Sequence, residues 1–327
     1  MSRRPRRSAV VRLARHYQRH GSLSLVKNSA LALVRSTGSY GRRLVRPLRL
    51  RVAFLRRTWF LRRARTSIEP CDAPRLIVSL TTFPARIRTV WATIETLFLQ
   101  EAMPDAIVLV LSDEEFPDRR LPSSIRRLER RGLIVLWTGR DLGSYDKLIP
   151  TRRAFPEATI VTVDDDCLYS ESMLGGLLAA SSDRPSHIVG HRGRDPIVGV
   201  AGRFQPYVEW KRAGPESDTE LVLLTGLGGI LYPPNAALDG LLLDVESALR
   251  HAPIADDVWF WGAARAVGIG RYCTAAHFGD PNGLDGVGPT LFERNRSEND
   301  VQIAAVAAHL TVHRAPRSPG SNGPVNP

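Results

Sequence analysis

An α/β fold on a mostly parallel central sheet is predicted by three observations. Four short apolar runs, Leu76–Leu80, Ala106–Leu111, Leu133–Trp137 and Thr159–Val163, alternate with segments at helical spacing. Each run is apolar throughout, the pattern of strands covered on both faces. The fourth ends abruptly in three carboxylates, Asp164-Asp165-Asp166, and open α/β sheets gather their ligands at the carboxyl ends of strands. The alternation is Rossmann-like.

The first strand is punctuated by Thr81-Thr82-Phe83-Pro84. That loop holds no glycine, so it lacks the dinucleotide fingerprint. Val90, Trp91, Ile94, Leu97 and Phe98 predict an amphipathic helix over 87–100. A charged helix with a leucine stripe over Leu121–Arg131 separates the second and third strands, and a short basic segment, Lys147–Phe155, precedes the fourth. Beyond the triplet, Met173, Leu174, Leu177 and Leu178 predict a helix capped by Ser170. The second half is more irregular, with short strands at Ile197–Ala201, Leu221–Leu224 and Ile230–Tyr232 and helices at Leu238–Leu249 and Val258–Val267. Residues 315–327, rich in Pro, Ser, Gly and Asn, are predicted to be disordered. The expected organisation is a basic, partly helical or disordered extension over 1–73, a catalytic body over 74–314 and a tail.

The net charge of +12 is unevenly placed. Residues 1–70 carry 18 Arg and one Lys against Glu69 alone, so they hold +18 and leave −6 for the body. No uninterrupted apolar stretch follows the opening arginines, which argues against a secretory signal, and none is long enough to span a bilayer. Leu44, Leu48, Phe54, Leu55, Trp59 and Phe60 interleave with arginines, as suits a segment lying on an anionic lipid surface. Phosphates of nucleic acid attract the same side chains, and a solvated arm is the plainer alternative. Three scattered cysteines, Cys71, Cys167 and Cys273, argue against a disulfide framework and for a reducing compartment. The expected location is cytoplasmic, peripheral on the inner face of the membrane.

Carboxylates as close as Asp164, Asp165 and Asp166 repel one another unless a divalent cation sits among them, and hard oxygen ligands suit Mg²⁺ or Mn²⁺. The plainer reading is a solvated turn with an aspartate capping the next helix. Asp256 and Asp257 precede Val258-Trp259-Phe260-Trp261, where they serve either as helix caps or as a general base opposite the metal. Tyr145 and Lys147 in Ser144–Pro150 either face a nucleotide or pack. His191-Arg192-Gly193 and His313 are candidates for phosphate contact or for the metal shell.

In their order, the segments Ile77–Ile87, Ser144–Pro150, Val163–Asp166, His191–Gly193, Gly228–Pro234 and Asp256–Trp259 resemble a family of bacterial GT-A-type glycosyltransferases associated with surface polysaccharide synthesis. The resemblance spans about residues 74–310 and implies a GT-A-like Rossmann-type sandwich. It implies that Asp164, Asp165 and Asp166 are a DXD-type motif bridging Mn²⁺ or Mg²⁺ to a nucleotide-sugar, first of all a UDP-sugar. Asp166 is then the direct metal ligand and Asp164 lies closer to the ribose. Thr81, Phe83 and Arg86 stand against the base, Lys147 near the nucleotide, and Gly229–Pro234 along the sugar and acceptor cleft. Asp257 or Asp256 is the base, and His313 or His277 completes the metal shell. The acceptor is a glycan or lipid-linked glycan, and residues 1–70 meet an anionic membrane surface. A metal phosphohydrolase or nuclease is the competing enzyme. A nucleic-acid-binding protein acting through its leader is the competing non-enzyme; the net acidic body, in which only one of two acid clusters ends a strand, argues against the phosphohydrolase or nuclease.

Overall fold

The computed structural model describes residues 66–69, 71–199, 203–280 and 292–311, with side chains in the last stretch from 298 to 310. Of the two compact units of the chain, Met1–Arg57 and Thr58–Pro327, the first lies outside these residues, as do the leader to Arg65, His313 and the tail 315–327. In chain order the first half holds β1 (Leu76–Thr81), α1 (Trp91–Leu97), β2 (Ala106–Ser112), α2 (Ser123–Glu129), β3 (Leu133–Thr138), α3 (Ile149–Ala154) and β4 (Thr159–Thr162). There follow β5 (Leu168–Tyr169), α4 (Met173–Asp183), β6 (Ile188–Gly190), β7 (Gly193–Asp195), β8 (Lys211–Arg212), β9 (Leu223–Leu224) and β10 (Ile230–Tyr232). The last elements are α5 (Ala236–Leu242), α6 (Val245–His251), α7 (Asp256–Ala266), β11 (Arg271–Cys273), β12 (Gly279–Asp280) and α8 (Phe292–Thr311).

Seven strands form the central sheet in the order β11-β6-β10-β4-β1-β2-β3. Neighbours pair in parallel except β10, which is antiparallel to β4 and β6. This is the mixed α/β architecture that the alternation of elements predicts. β2 is buried at every position, as its unbroken apolar run requires, whereas β3 closes the sheet and is mostly half-buried. Two small sheets, β12-β5 and β8-β7-β9, stand apart from it.

The topology fixes where a ligand can meet the sheet. β1, β4 and β6 are parallel, so their carboxyl ends emerge at one edge. The reversed β10 brings its amino end to that edge, together with the 3₁₀ turn Gly226–Gly228 that precedes it. Buried charges brace the scaffold beneath. Glu95 of α1 is held by Arg127 at 2.7 Å and Arg131 at 2.6 Å. Arg152 of α3 donates to the carbonyls of Ala158, Tyr232 and Pro233, tying α3 beneath β4 and β10.

Several expectations are corrected. Ser172, not Ser170, precedes α4, and it makes no side-chain cap bond. The described part of Ile197–Ala201 is no strand: Val198 makes an isolated bridge to Phe204, and the strands fall at β6 and β7 instead. The helix expected over Leu238–Leu249 is two, because Asp244 accepts from the Ser247 amide at 3.1 Å and so starts a second one. β5, β8, β11, β12 and α8 have no counterpart in the sequence reading.

Candidate active site

β4 pairs with β1 along Leu76↔Thr159 to Ser79↔Thr162, and this register sets the triplet beside the loop after β1. The three aspartates then part company. Asp165 turns inward and is buried, accepting from Thr82 Oγ1 at 2.5 Å and Arg86 Nη1 at 2.5 Å, while its carbonyl accepts from Thr93 Oγ1 at 3.0 Å. Burial pushes its carboxyl up, and Arg86 and Thr82 pull it back. Asp165 is therefore an anchor for the loop, not a group presented to solvent.

Asp164 and Asp166 are less covered, their side chains 30% and 28% exposed. Asp166 receives Arg86 Nη2 at 2.9 Å, yet burial, and next the charge of Asp164, push its carboxyl up to about 6. The Asp164 amide donates to the Tyr169 hydroxyl at 3.0 Å, and that hydroxyl donates to the carbonyl of Leu227 in the glycine turn. Asp164 Oδ1 accepts from Lys147 Nζ at 3.0 Å.

Lys147 joins the two acidic clusters. Its ammonium, buried at the end of the 3₁₀ turn Gly143–Lys147, lies 3.0 Å from Asp164 Oδ1 and 3.0 Å from Asp256 Oδ2. Burial opposes its charge, but Asp164, Asp256 and Asp257 outweigh burial and hold its pKa well above the ordinary lysine range. Asp256 opens α7 without acting as its cap: Ala255 occupies that position, with no side-chain cap bond. Asp257 Oδ2 accepts from the Gly226 amide at 3.1 Å, while its buried Oδ1 has no hydrogen-bond partner. Burial, and then Asp256, push the Asp257 carboxyl upward against the pull of Lys147. A Cβ on Gly226 would stand 2.7 Å from Lys147 Nζ, 2.9 Å from Asp164 Oδ1 and 3.5 Å from Asp257 Oδ1, so the strand end and the helix start face one narrow gap.

Other expected residues are placed elsewhere or serve the frame. Thr81 Oγ1 donates to the Val110 carbonyl at 3.0 Å, stitching β1 to β2. Phe83 is half-buried beneath the Arg86 guanidinium, 5.4 Å from ring centroid to Cζ. Tyr145 is a core residue, its hydroxyl donating to the Ala252 carbonyl at 2.6 Å and its ring edge against Phe260. His191 is buried between Thr274 Oγ1 at 2.5 Å and the Met173 carbonyl at 2.8 Å, which leaves no ring nitrogen for a metal. Gly229 enters the cleft turn, but Ile230–Tyr232 is a buried sheet strand. His277 is exposed, and His313 lies outside the described residues. Thr82, Thr93, Tyr169 and Gly226 are the contributors the sequence reading missed. Two cavities lie outside the cleft: about 830 Å³ beside Trp137, Arg153 and Leu243, and about 510 Å³ beside Arg88, Trp91 and Arg130.

Five carboxylates, Asp164, Asp165, Asp166, Asp256 and Asp257, thus share the site with two cations, Arg86 and Lys147. Among the described residues no group of three or more His, Cys, Asp or Glu is arranged to hold an ion. Asp164 and Asp166 still fit a hard divalent cation, because Mg²⁺ is commonly held by one or two carboxylates with water and substrate phosphates completing its shell. Such an ion would also relieve the crowding that raises Asp166.

No family model matches the chain, and no curated protein matches it. Among solved structures it is similar to the mannosyltransferase PcManGT from Pyrobaculum calidifontis, determined with GDP-Man and Mn²⁺. That pair shares 14% identity over 84% of this chain and 76% of the other, with a TM-score of 0.44. It is also similar to residues 1–349 of S. aureus TarS, at 17% identity over 70% of each chain and a TM-score of 0.38. Likeness of this extent leaves the chemistry to the side chains of the cleft.

Proposed function

We propose that the protein is a metal-dependent glycosyltransferase that moves a sugar from a nucleotide-sugar to a glycan or lipid-linked acceptor in the synthesis of cell-surface polysaccharide. The observation that carries the reading is the single gap in which Asp164, at the end of a parallel strand, meets Lys147 and Asp257, at the start of a helix 90 residues on. A transfer reaction needs two acidic centres in reach of one another, one for the leaving group and one for the attacking hydroxyl.

In this reading Asp164 and Asp166 hold Mn²⁺ or Mg²⁺, which when bound offsets the charge developing on the departing nucleoside diphosphate. Asp165 does not touch the donor; it locks Thr82 and Arg86, and through them the loop that carries Phe83 beside the base. Lys147 stands between Asp164 and Asp256 and offsets their mutual repulsion. Asp257, with one oxygen on the Gly226 amide and the other unpartnered, is the group that accepts the proton of the acceptor hydroxyl. Residues 1–70 bring the enzyme to the anionic inner face of the cell membrane, where each basic residue near the headgroups contributes about 1 kcal/mol.

Calorimetric titration of the full chain with UDP and GDP, with and without Mn²⁺, tests the reading. Metal-dependent binding that Asp166→Asn abolishes is the expected result. Absence of nucleotide binding under every condition would overturn it.

A further inference from the structure

The small sheet beside the cleft carries an arrangement that its own stability does not explain. β6 leaves the central sheet at the same edge as the triplet and continues through Arg192 into β7. In β7 the Cα partner of Arg194 is Arg212 of β8, so two arginines stand directly opposite each other across an antiparallel pair. Like charges so placed destabilise a sheet. Arg192 lies two residues before Arg194, just ahead of β7. None of the three forms an ion pair among the described residues. Arg194 uses one nitrogen on the Trp210 carbonyl, at 3.2 Å, and its guanidinium lies 5.7 Å from the Tyr207 ring centroid.

This basic face adjoins the proposed base. The Thr225 amide donates to the Arg192 carbonyl at 3.0 Å, and a Cβ on Gly228 would meet Arg192 Cβ at 2.8 Å, so Arg192 packs directly on the turn that also supports Asp257. Burial raises the pKa of the nearby Tyr207 hydroxyl, Arg194 lowers it, and Asp257 raises it further.

We infer that Arg192, Arg194 and Arg212 form a subsite for an anionic group, a phosphate or a sugar carboxylate, on the acceptor whose hydroxyl faces Asp257. This rests on the transferase reading of the cleft. The donor diphosphate is assigned to the other side, at Asp164 and Asp166, so the arginines recognise the second substrate. An anion seated there removes the Arg194–Arg212 repulsion and uses planar donors that match carboxylate and phosphate geometry.

The test uses the full chain with Mn²⁺ and saturating UDP or GDP, whichever binds. Mannose 6-phosphate, glucuronic acid and uncharged glucose are each titrated into wild type, Arg194→Gln, Arg212→Gln and the double variant. The expected result is that one of the charged sugars binds more tightly than glucose. The double variant should weaken it about tenfold or more, the loss of one to two charge-assisted hydrogen bonds. Nucleotide affinity and glucose binding should be unchanged, and Arg126→Gln on α2, remote from the subsite, should change neither titration. Which charged sugar responds identifies the anion as phosphate or carboxylate. Arg212 is exposed on a short edge strand, so Arg212→Gln folds even if Arg194→Gln does not. Equal affinity for charged and uncharged sugars, or equal weakening of charged sugar and nucleotide, would overturn the assignment. If wild type binds no nucleotide yet the double variant still loses the charged sugar, the transferase reading falls and the anion subsite stands.

Discussion

Gly226→Ala separates the cleft from the fold more cleanly than removing a charge. Gly226 opens the turn before β10, and its φ lies outside the left-handed region, so the backbone accepts alanine. The new methyl would stand 2.7 Å from Lys147 Nζ and 2.9 Å from Asp164 Oδ1. Ordinary contact is about 3.5 Å or more, so each group retreats by at least about half an ångström. Both obstructing atoms end side chains, and the alanine restricts the unfolded chain by about 0.4–1 kcal/mol, so net stability changes by about 1 kcal/mol or less. Catalysis has no such latitude, since a displacement of about 1 Å in a reacting group costs about 10²-fold. The assay is Mn²⁺-dependent release of nucleoside diphosphate from a panel of nucleotide-sugars, with urea unfolding measured in parallel. A stable variant turning over about 10²-fold more slowly is expected. A stable variant with wild-type turnover would refute the placement of the chemistry between Asp164 and Asp257.

Lys147→Met strands Asp164 and Asp256 without their shared cation, and breaking so buried a pair costs about 3–5 kcal/mol; thermal melts should show that loss, with Mn²⁺ raising the melting temperature more in the variant than in wild type. Asp146 is buried, with Oδ2 on the Leu142 amide and Oδ1 unpartnered, and burial pushes its carboxyl from 3.8 up to about 7. Its folded pKa is above the unfolded one, so ionisation favours the unfolded chain: the penalty is absent below about pH 4, grows to about pH 7 and is constant above. Asp146→Asn should therefore match wild type near pH 4 and exceed it by up to about 4 kcal/mol at pH 8 in urea titrations. Gly132 has φ of +102° and its missing side chain would strike the carbonyl of Ile68, whose amide donates to Arg131 at 2.8 Å. Gly132→Ala should cost about 1–3 kcal/mol and detach residues 66–69 from the turn between α2 and β3, seen as faster amide exchange at Ile68.

What the sequence disclosed was what a short window can encode. β1 to β4 and β10 each carry enough apolar residues to specify a strand, and each falls within a residue or two of its expected place. β5, β8, β9 and β12 are two residues long, and their pairing is decided by partners far away in the chain. The acidic triplet announced a site, but not that its middle member would turn inward. That depends on Thr82 and Arg86, which reach Asp165 only because β1 lies beside β4. Tyr145 shows the converse error: beside Lys147 in sequence, it points into the core while the lysine points to the cleft, because a 3₁₀ turn sends residues two apart in different directions. Gly226 belongs to the glycine cluster Gly226-Leu227-Gly228-Gly229, which the sequence discounts as a cofactor loop because Leu231 stands in place of a third glycine; the sequence marks a glycine but not what passes where its side chain would be.

On the proposed reading, the charge of the cleft would let an acidic body bind anionic substrates. Five carboxylates against Arg86 and Lys147 leave a formal −3 at the sheet edge, which would repel a diphosphate. The repulsion is concentrated at the half-buried Asp164 and Asp166, so a divalent cation brought in with the donor would change the sign at that point. In the inferred acceptor subsite Arg192 packs on the turn that holds Asp257, and Arg194 and Arg212 oppose each other across β7 and β8, so positive charge there requires no metal. On the proposed reading, Asp257 serves a donor side that becomes cationic only when the metal arrives and an acceptor side whose arginines are always cationic. An anionic acceptor binding first would find its subsite ready, whereas the donor depends on metal. Initial-rate kinetics should accordingly show the metal requirement in the KM for the donor and not in that for the acceptor. A metal dependence confined to the acceptor KM would place the two poles the other way round.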